Sequence, residues 1–322
     1  MWQTVLVMKN YYHKERVKQS IPKNLRYTVN HFNEQFPDEN SCLEWLKEQR
    51  FPDGIAHCEK CKVERKHHRV TGRPAYACDY CGSMISPMAG TIFHKSPTPL
   101  RLWFYAMYLM SATRCGISAK QIQRETGVTY KTAWRMFKQI RTLMSEDIGL
   151  EGEAVEMDET YVGGKDKNKH RSKRSGIRGR SDGGDKTPVF GMVERGGRVV
   201  AKVTPDVRVS NIFPIIAERV LPASTVYTDF YTTYDKVSEM PQGYDHQRIN
   251  HSAKIYVMGD VHTNTIEGFW SLLKRGIGGV YHQVSAKYLQ MYCDEYAYRY
   301  NRRFDEKPMF TSLLDEVAKR VN

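Results

Sequence analysis

The sequence lacks long apolar runs, and this absence limits the kinds of protein that it can encode. No window approaches the roughly 18 consecutive apolar residues that indicate a transmembrane helix, so we expect no membrane span. The first 20 residues hold neither a long hydrophobic region nor a small-residue cleavage site, so we expect no secretory signal. Apolar residues still make up 40% of the 322 residues, which allows a sizeable core and favours two domains, or one large domain with appendages.

Acidic residues are fewer than basic ones, and the positive excess is concentrated in one segment. The chain has 36 Asp and Glu against 49 Lys and Arg, a formal net charge of +13. Residues 55–145 alone hold 15 basic and 4 acidic residues, a net of +11. Lys and Arg that neutralise phosphates release counterions and so gain affinity for nucleic acid. The concentration therefore favours a DNA-binding module over a merely soluble basic protein.

Cysteine is scarce, and its spacing indicates a metal site rather than a disulfide framework. There are seven cysteines, an odd number, and four of them form the pattern C-x2-C-x16-C-x2-C. Each C-x2-C pair is a tight turn that aims two thiolates at one point, so two pairs predict a closed tetrahedral Zn²⁺ site without an open position for chemistry. The predicted zinc ligands are Cys58, Cys61, Cys78 and Cys81.

A helical pattern follows the cysteine segment and predicts a helix-turn-helix. Ser118 and Gln121 fit a capping box, and Gly127 supplies the turn before a second helix. That second helix has an apolar face and a basic face, and a basic face in this position suits a DNA groove. An ordinary amphipathic helix with a solvated cationic face is the alternative. The residues of the basic face are Lys131, Arg135 and Lys138.

From about residue 153 the pattern changes to short β-branched runs that alternate with helices. AVEMDETYV reads as a strand in which Glu156 and Asp158 share one face. TVYTDFYTTY reads as a strand ending in Asp229, and HTNTIEGFWSLLKRGIGG as a helix carrying Glu267. Between them, PVFGMVE and RVVAKVTP look like an antiparallel pair joined at residues 195–197. Two strands and a helix can bring three carboxylates together, where Mg²⁺ or Mn²⁺ would offset their repulsion.

Spacing alone leaves other interpretations of these carboxylates open. Asp229 could be a turn residue at a strand end. Asn264 and Glu267 are spaced as a capping box, so Glu267 could simply complete the start of its helix. A chain with 36 acidic residues offers an Asp or Glu at almost any separation.

Longer motifs make the chain resemble a known family. It is similar to bacterial insertion-sequence transposases of the zinc-ribbon DDE type, which are related to eukaryotic Merlin elements. The similarity covers roughly residues 28–305, whereas the leader of about 25 residues has no match. The motifs that carry it are FPDE (36–39), the two cysteine pairs, AGTIFHKS (89–96), MDETYVGGK (157–165), TDFYTTY (228–234), HTNTIEGFWSLLKRGIGGVYHQVSAKYL (262–289) and YRYNRR (298–303).

The resemblance implies an α/β fold with an RNase H-like catalytic domain, a mixed sheet with flanking helices. A zinc ribbon and a helical, helix-turn-helix-like region would precede it. The expected division of the chain is a leader (1–27), a zinc-ribbon region (28–97), a helical DNA-binding region (98–150), the catalytic domain (151–305) and a C-terminal helix (306–322).

The resemblance also implies a site for two Mg²⁺ or Mn²⁺ ions. The first two family aspartates map onto Asp158 and Asp229. Members carry Glu, Asn or His at the third position, so Glu267 and Asn264 are both candidates. Glu267 is preferred because the basic residue that the family has seven positions later matches Lys274.

Further basic residues are candidates for binding phosphate. Lys274 and Arg275 could hold a phosphate near the metals, or could simply favour the C-terminal end of their helix. The polar segment 165–186 carries nine Lys and Arg, and we expect it to order on DNA; a solvated loop is the alternative. The candidates in this segment are Arg171, Lys173 and Arg174.

The function implied by the resemblance is DNA transposition by a cytoplasmic, nucleoid-associated bacterial protein. The ribbon and helices would bind terminal inverted repeats, and the catalytic domain would hydrolyse a phosphodiester at the element end. The freed 3′-hydroxyl would then attack target DNA, within a homodimer or larger synaptic assembly. The alternatives are a catalytically inactive, domesticated transposase acting as a DNA-binding regulator, and an RNase H-like nuclease.

Overall fold

The computed structural model describes residues 26–113, 115–164, 170–173, 186–249 and 262–319. The chain divides into two compact units. The first comprises Met1–Leu143 with Arg303–Asn322, and the second comprises Met144–Arg302. Within the described ranges, no helix has both the length and the apolar character that crossing a membrane requires.

The first unit combines helices with a small antiparallel sheet of order β1-β2-β3-β4. Its strands are β1 (Ile55–Cys58), β2 (Val63–Arg69), β3 (Tyr76–Cys78) and β4 (Met84–Ile85). Its helices before the second unit are α1 (Val29–Gln35), α2 (Glu39–Arg50), α3 (Leu100–Ala112), α4 (Ala119–Thr126) and α5 (Tyr130–Leu143).

Local sequence explains where these helices begin. The Asp38 carboxylate accepts the backbone N–H of Ser41 at 2.7 Å and caps α2. Helix α3 follows Pro99, which has no side chain that can cap it, and the Glu39 carboxylate accepts the N–H groups of Leu100 and Arg101 instead. A carboxylate at this end also complements the helix dipole. The start of α2 therefore fixes the start of α3.

Helices α4 and α5 form the tight pair predicted from the sequence. The Ser118 hydroxyl accepts the N–H of Gln121 at 3.1 Å and caps α4. Gly127 ends α4 in the left-handed region, with φ +71°, where a side chain would be strained. The Thr129 hydroxyl accepts the N–H of Thr132 at 3.3 Å at the start of α5.

The second unit is built on a five-stranded mixed sheet of order β7-β6-β5-β8-β9. Strands β7, β6 and β5 pair antiparallel, whereas β5, β8 and β9 pair parallel. This arrangement is the RNase H-like mixed α/β fold that was predicted. Its elements are β5 (Ala154–Val162), β6 (Thr187–Glu194), β7 (Val199–Val203), α6 (Val209–Arg219), β8 (Thr225–Asp229), β9 (Asp245–Ile249), α7 (Asn264–Gly276) and α8 (Leu289–Asn301).

Helices cover both faces of this sheet. On one face, Val155 and Met157 of β5 join a core with Ile212 and Ile216 of α6. On the other face, Val189 and Val193 of β6 pack in a core with residues of α7 and α8. Glu156 and Asp158 alternate with Val155 and Met157 along β5, so they point towards α7. The predicted sharing of a face by these two carboxylates is confirmed.

The chain then returns to the first unit as α9 (Met309–Lys319). Phe310 is buried in an aromatic cluster, with ring centroids 5.8 Å from Phe32 and 5.9 Å from Tyr108. Aromatic pairs at such separations add to the stabilisation from burial alone. The C-terminal helix thus completes the core of the unit in which the chain begins.

Candidate metal centres and DNA-facing surfaces

The four predicted zinc ligands lie together at one end of the small sheet. Their Sγ atoms all lie within 4.8 Å of one another, with Cys58 and Cys81 at 3.5 Å and Cys61 and Cys78 at 3.9 Å. Ligands 2.3 Å from a tetrahedral Zn²⁺ would be separated by about 3.8 Å. The cluster therefore has the size of a structural zinc site.

Each cysteine pair is shaped by the same backbone turn. The N–H of Lys62 donates to the carbonyl of Cys58, and the N–H of Gly82 donates to the carbonyl of Cys78. Both donors have positive φ, +61° at Lys62 and +69° at Gly82. One residue in the left-handed region thus reverses the chain after each pair. The geometry is local, which is why spacing alone predicted it.

The surroundings shift the pKa values of two thiols in this cluster, Cys58 and Cys61, in opposite directions. The backbone N–H of Cys61 lowers the pKa of the Cys58 thiol to about 6. Hydrogen bonding to Cys81 and burial raise the pKa of Cys61 to about 12. Four neighbouring thiols cannot all ionise without a cation among them, and four thiolates are a donor set that suits Zn²⁺. The residues present fit this metal.

Asp158 occupies the middle of β5 and faces α7. The indole N–H of Trp270 donates to Oδ2 of Asp158 at 3.0 Å. Gly191 of β6 lies directly opposite Asp158, and a Cβ there would come within 2.5 Å of the Trp270 ring. Glycine at this position makes room for the indole, and the indole orients the carboxylate.

Asp229 ends the neighbouring parallel strand. The register pairs Glu156 with Tyr227, so Asp158 and Asp229, each two residues further on, lie at the same level of the sheet. The Asp229 carboxylate accepts the N–H of Tyr231 at 2.9 Å, which is also how a strand-end turn residue behaves. The turn interpretation and a place beside Asp158 are therefore compatible.

The structure decides against a capping box formed by Asn264 and Glu267. Helix α7 begins at Asn264 and its N-cap is Thr263, so Asn264 is already helical. Glu267 instead accepts a hydrogen bond from the Thr263 hydroxyl at 3.2 Å. The side chains of Asn264 and Glu267 are both exposed, one helical turn apart.

Electrostatics links the three carboxylates. The pKa of Asp158 is raised to about 8, first by burial, then by the negative charges of Glu159, Asp229 and Glu267. Hard oxygen donors whose negative charges raise the pKa of Asp158 are a set that Mg²⁺ or Mn²⁺ stabilises. Yet in the described part of the chain the cysteine cluster alone meets the proximity expected of a metal-binding group. The carboxylates thus repel one another without being gathered as closely as the thiols.

The basic candidates fall in several places. Lys274 and Arg275 are exposed on α7, and Lys274 lies two turns beyond Glu267. In segment 165–186, Arg171 is exposed, whereas the Lys173 side chain and Arg174 lie outside the described residues. The basic face of α5 is exposed along its whole length, at Lys131, Arg135 and Lys138.

Two side chains that donate hydrogen bonds to acidic residues of β5 were not identified from the sequence. Trp270 lies in the apolar core on the α7 face of the sheet, but its N–H reaches Asp158. Tyr234 is buried, and its hydroxyl donates to Oε2 of Glu159 at 2.8 Å. The signal that could have identified Trp270 is chemical, because a buried indole N–H requires an acceptor.

Comparison with known proteins yields two family matches and two similar sequences. Residues 149–301 match the model of the ISXO2-like transposase domain, and residues 37–84 match that of the transposase zinc-ribbon domain. A protein in transposable element ISH50 of Halobacterium salinarum is 33% identical over 255 residues, which are 74% of this chain and 83% of that protein. A transposase-like protein of Haemophilus influenzae is 34% identical over 124 residues, 38% of this chain and 94% of that protein.

Among solved structures, the chain is similar to one in the intasome of simian T-cell lymphotropic virus in complex with the PP2A regulatory subunit B56 gamma. The sequences are 13% identical, and the match covers 59% of this chain and 64% of that chain. The TM-score is 0.28, which is too low to support an argument about the fold.

Proposed function

Since this chain belongs to the ISXO2-like family of DDE transposases, we propose that it cleaves the ends of a mobile DNA element and joins them to target DNA. The observation that carries the proposal is the placement of Asp158 mid-strand, Asp229 at the end of the adjacent parallel strand and Glu267 on the facing helix. The raised pKa of Asp158 supports a shared cation site for these three groups.

In this proposal Asp158, Asp229 and Glu267 hold two Mg²⁺ or Mn²⁺ ions. Bound there, the ions would activate a water or a 3′-hydroxyl and stabilise the leaving oxygen of a phosphodiester. Trp270 holds the Asp158 carboxylate in position by its indole N–H. Glu267 is favoured over Asn264 as the third ligand because its charge acts on Asp158. No Ser or Tyr nucleophile is needed.

The remaining regions are assigned to DNA binding. The zinc-ribbon region (28–97) and the helical region (98–150) would bind the terminal inverted repeats, with the basic face of α5 in a groove. Within the catalytic domain (151–305), Lys274 and Arg275 would hold a phosphate near the metals. Arg171, Lys173 and Arg174 would contact the DNA backbone. Joining two element ends requires a dimer or larger assembly.

The test is Mg²⁺-dependent cleavage of DNA that carries the terminal inverted repeats of the element. Asp158→Ala and Asp229→Ala are expected to lower the cleavage rate by about 10³-fold or more, because the metal chemistry is lost. Glu239→Gln, an exposed acid of the same unit, is the matched control and should cleave like the parent.

Glu267→Gln and Asn264→Ala separate the two candidates for the third ligand. A large loss in Glu267→Gln alone would support Glu267. Parental cleavage by Asp158→Ala would overturn the proposed site. A parent protein that binds the repeats and never cleaves them would be a DNA-binding regulator instead.

A further inference from the structure

Glu156 is a second carboxylate on the face of β5 that carries Asp158. It differs from Asp158 in its hydrogen-bond partners. Its side chain is 0% exposed. A buried carboxylate is strongly unfavourable unless its oxygens are paired and hydrogen-bonded. The partners of Glu156 therefore indicate what this charge does in the fold.

Both oxygens of Glu156 are occupied by donors from α7 and its surroundings. Oε2 accepts the backbone N–H groups of Thr265 at 2.7 Å and Ile266 at 3.1 Å. Oε1 accepts the Thr265 hydroxyl and the Nε of Arg195, each at 2.9 Å. Nδ1 of His262 lies 3.1 Å from the same oxygen. With this set of partners, Glu156 is committed to protein contacts rather than to a metal.

These bonds replace a cap that α7 lacks. Its N-cap Thr263 makes no side-chain cap bond, and the N–H groups of a first helical turn have no partner within the helix. Glu156, 109 residues earlier in the chain, accepts two of them and places its negative charge at the positive end of the helix dipole. The first turn of α7 is thereby tied to β5.

Arg195 completes this attachment from the turn between β6 and β7. Its Nη2 donates to the carbonyl of His262 at 2.9 Å, while its Nε donates to Glu156. The guanidinium also lies 3.9 Å from the centre of the Tyr227 ring on β8. One cation thus neutralises Glu156 and holds the segment that enters α7.

Glu267 lies between two points where α7 is fixed to β5. Ile266, the residue before it, is bound to Glu156, and Trp270, three residues after it, is bound to Asp158. We propose that Glu156 is a positioning residue, a buried clamp that sets the first turn of α7 on β5 so that Glu267 faces Asp158. The inference rests on the proposed function in taking Glu267 as a metal ligand.

The test compares Glu156→Gln with Glu194→Gln. Glu194 is also a buried carboxylate of this sheet, and it accepts the backbone N–H groups of Glu151, Gly152 and Arg198 without a bond to α7. Both variants should lose stability. Mn²⁺ affinity is measured by titration in the full-length protein, and binding that survives in Asp158→Ala is subtracted.

Glu156→Gln is expected to weaken the Asp158-dependent Mn²⁺ affinity by 10-fold or more, since groups that orient metal ligands have effects of about 10–100-fold. Glu194→Gln should change it by less than about 2-fold. Hydrogen exchange should accelerate at the amides of Thr265 and Ile266 in Glu156→Gln alone. Equal losses of Mn²⁺ affinity in the two variants would reduce Glu156 to a structural residue.

A second variant covers the case in which Glu156→Gln does not fold. Thr265→Val removes only the hydroxyl bond to Oε1 and should weaken Mn²⁺ affinity by a smaller factor; parental affinity would overturn the proposal. The test of the clamp, which measures Mn²⁺ affinity, can be distinguished from the test of the proposed function, which measures DNA cleavage. Asp158-dependent Mn²⁺ binding in a parent that never cleaves DNA would refute the transposase chemistry while leaving the clamp testable.

Discussion

The two candidate metal centres are assembled in opposite ways. The four thiols come from two short turns, each closed by its own backbone hydrogen bond, and their Sγ atoms already lie within 4.8 Å of one another. The three carboxylates come from a strand centre, a strand end and a helix, separated by 71 and 38 residues in sequence. Their geometry depends on how the helix α7 is held against the sheet.

How closely the candidate ligands lie together does not depend on how stable the surrounding fold is without a metal. The ribbon around the cysteines has few buried apolar residues, so its metal would substitute for a core. The second unit has an apolar core on each face of its sheet, so we expect it to fold without a metal at the carboxylate site. Its buried Asp158 is a cost in the metal-free state, as the raised pKa indicates.

Removal of zinc should have the largest effect of the changes considered, and it should act on the first unit rather than the second. Chelation, or Cys58→Ala, is expected to unfold the ribbon, because the binding free energy of structural zinc, about 10–16 kcal/mol, is also folding free energy. Hydrogen exchange followed by mass spectrometry would show loss of protection in β1–β4 and retained protection in β5–β9. Equal loss in both sheets would show that the second unit depends on the ribbon.

Gly191→Ala should disturb the carboxylate centre without touching any ligand. The added Cβ would lie within 2.5 Å of the Trp270 ring, so the indole must move and lose its bond to Asp158. Overpacking of this kind costs about 1–3 kcal/mol. Denaturant unfolding measures the loss, and Mn²⁺ affinity should fall with it.

Gly268→Ala on α7 is the matched control for Gly191→Ala. A Cβ at Gly268 meets nothing within 4 Å, and alanine favours a helix over glycine by about 1 kcal/mol. This variant should therefore be slightly stabilised. Loss of stability in both variants would refute the steric explanation.

The features that were predictable from the sequence are those encoded within a few residues. The cysteine spacing, the alternation that puts Glu156 and Asp158 on one face, and the β6–β7 pair around residues 195–197 all depend on local periodicity. The mixed sheet was expected from the family motifs, and the observed strand order confirms it.

The features that were missed depend on contacts between distant parts of the chain. Glu156 receives its partners from a helix 109 residues later, so spacing could not show that it caps that helix. For the same reason, the capping box suggested for Asn264 was wrong, since the helix already had a cap from β5. A pattern with two plausible local explanations is decided by tertiary contacts.

Asp158→Asn should stabilise the metal-free protein while abolishing cleavage. Because the folded-state pKa of Asp158 is about 8, well above its ordinary value of 3.8, the folded state binds a proton that the unfolded state releases between these pH values. Stability of the parent should therefore fall as pH rises from about 4 to about 8. The asparagine would have no charge to bury, so the free energy of unfolding of Asp158→Asn should exceed that of the parent by on the order of 1–3 kcal/mol at pH 8.

Thermal unfolding of the second unit in Mg²⁺-free buffer, without a chelator that would strip zinc, measures this gain. Added Mg²⁺ should raise the Tm of the parent and leave that of Asp158→Asn nearly unchanged. The same pH slope in both proteins would show that another group is responsible.

Replacing the basic face of α5 by alanine should have the smallest effect on stability but should clearly weaken DNA binding. Lys131, Arg135 and Lys138 are exposed, so their replacement by alanine should change the unfolding free energy by less than about 0.5 kcal/mol. For each phosphate that a variant no longer neutralises, the slope of log affinity against log salt should become shallower by about 0.9. Fluorescence anisotropy with repeat DNA at several salt concentrations measures the slope, with Lys319→Ala on α9 as the control. An unchanged slope in the triple variant would place the DNA-binding surface of the first unit elsewhere. A reduced slope with parental Mn²⁺ affinity would mean that this unit uses its charges at the surface, whereas the second unit buries its charges to position a site.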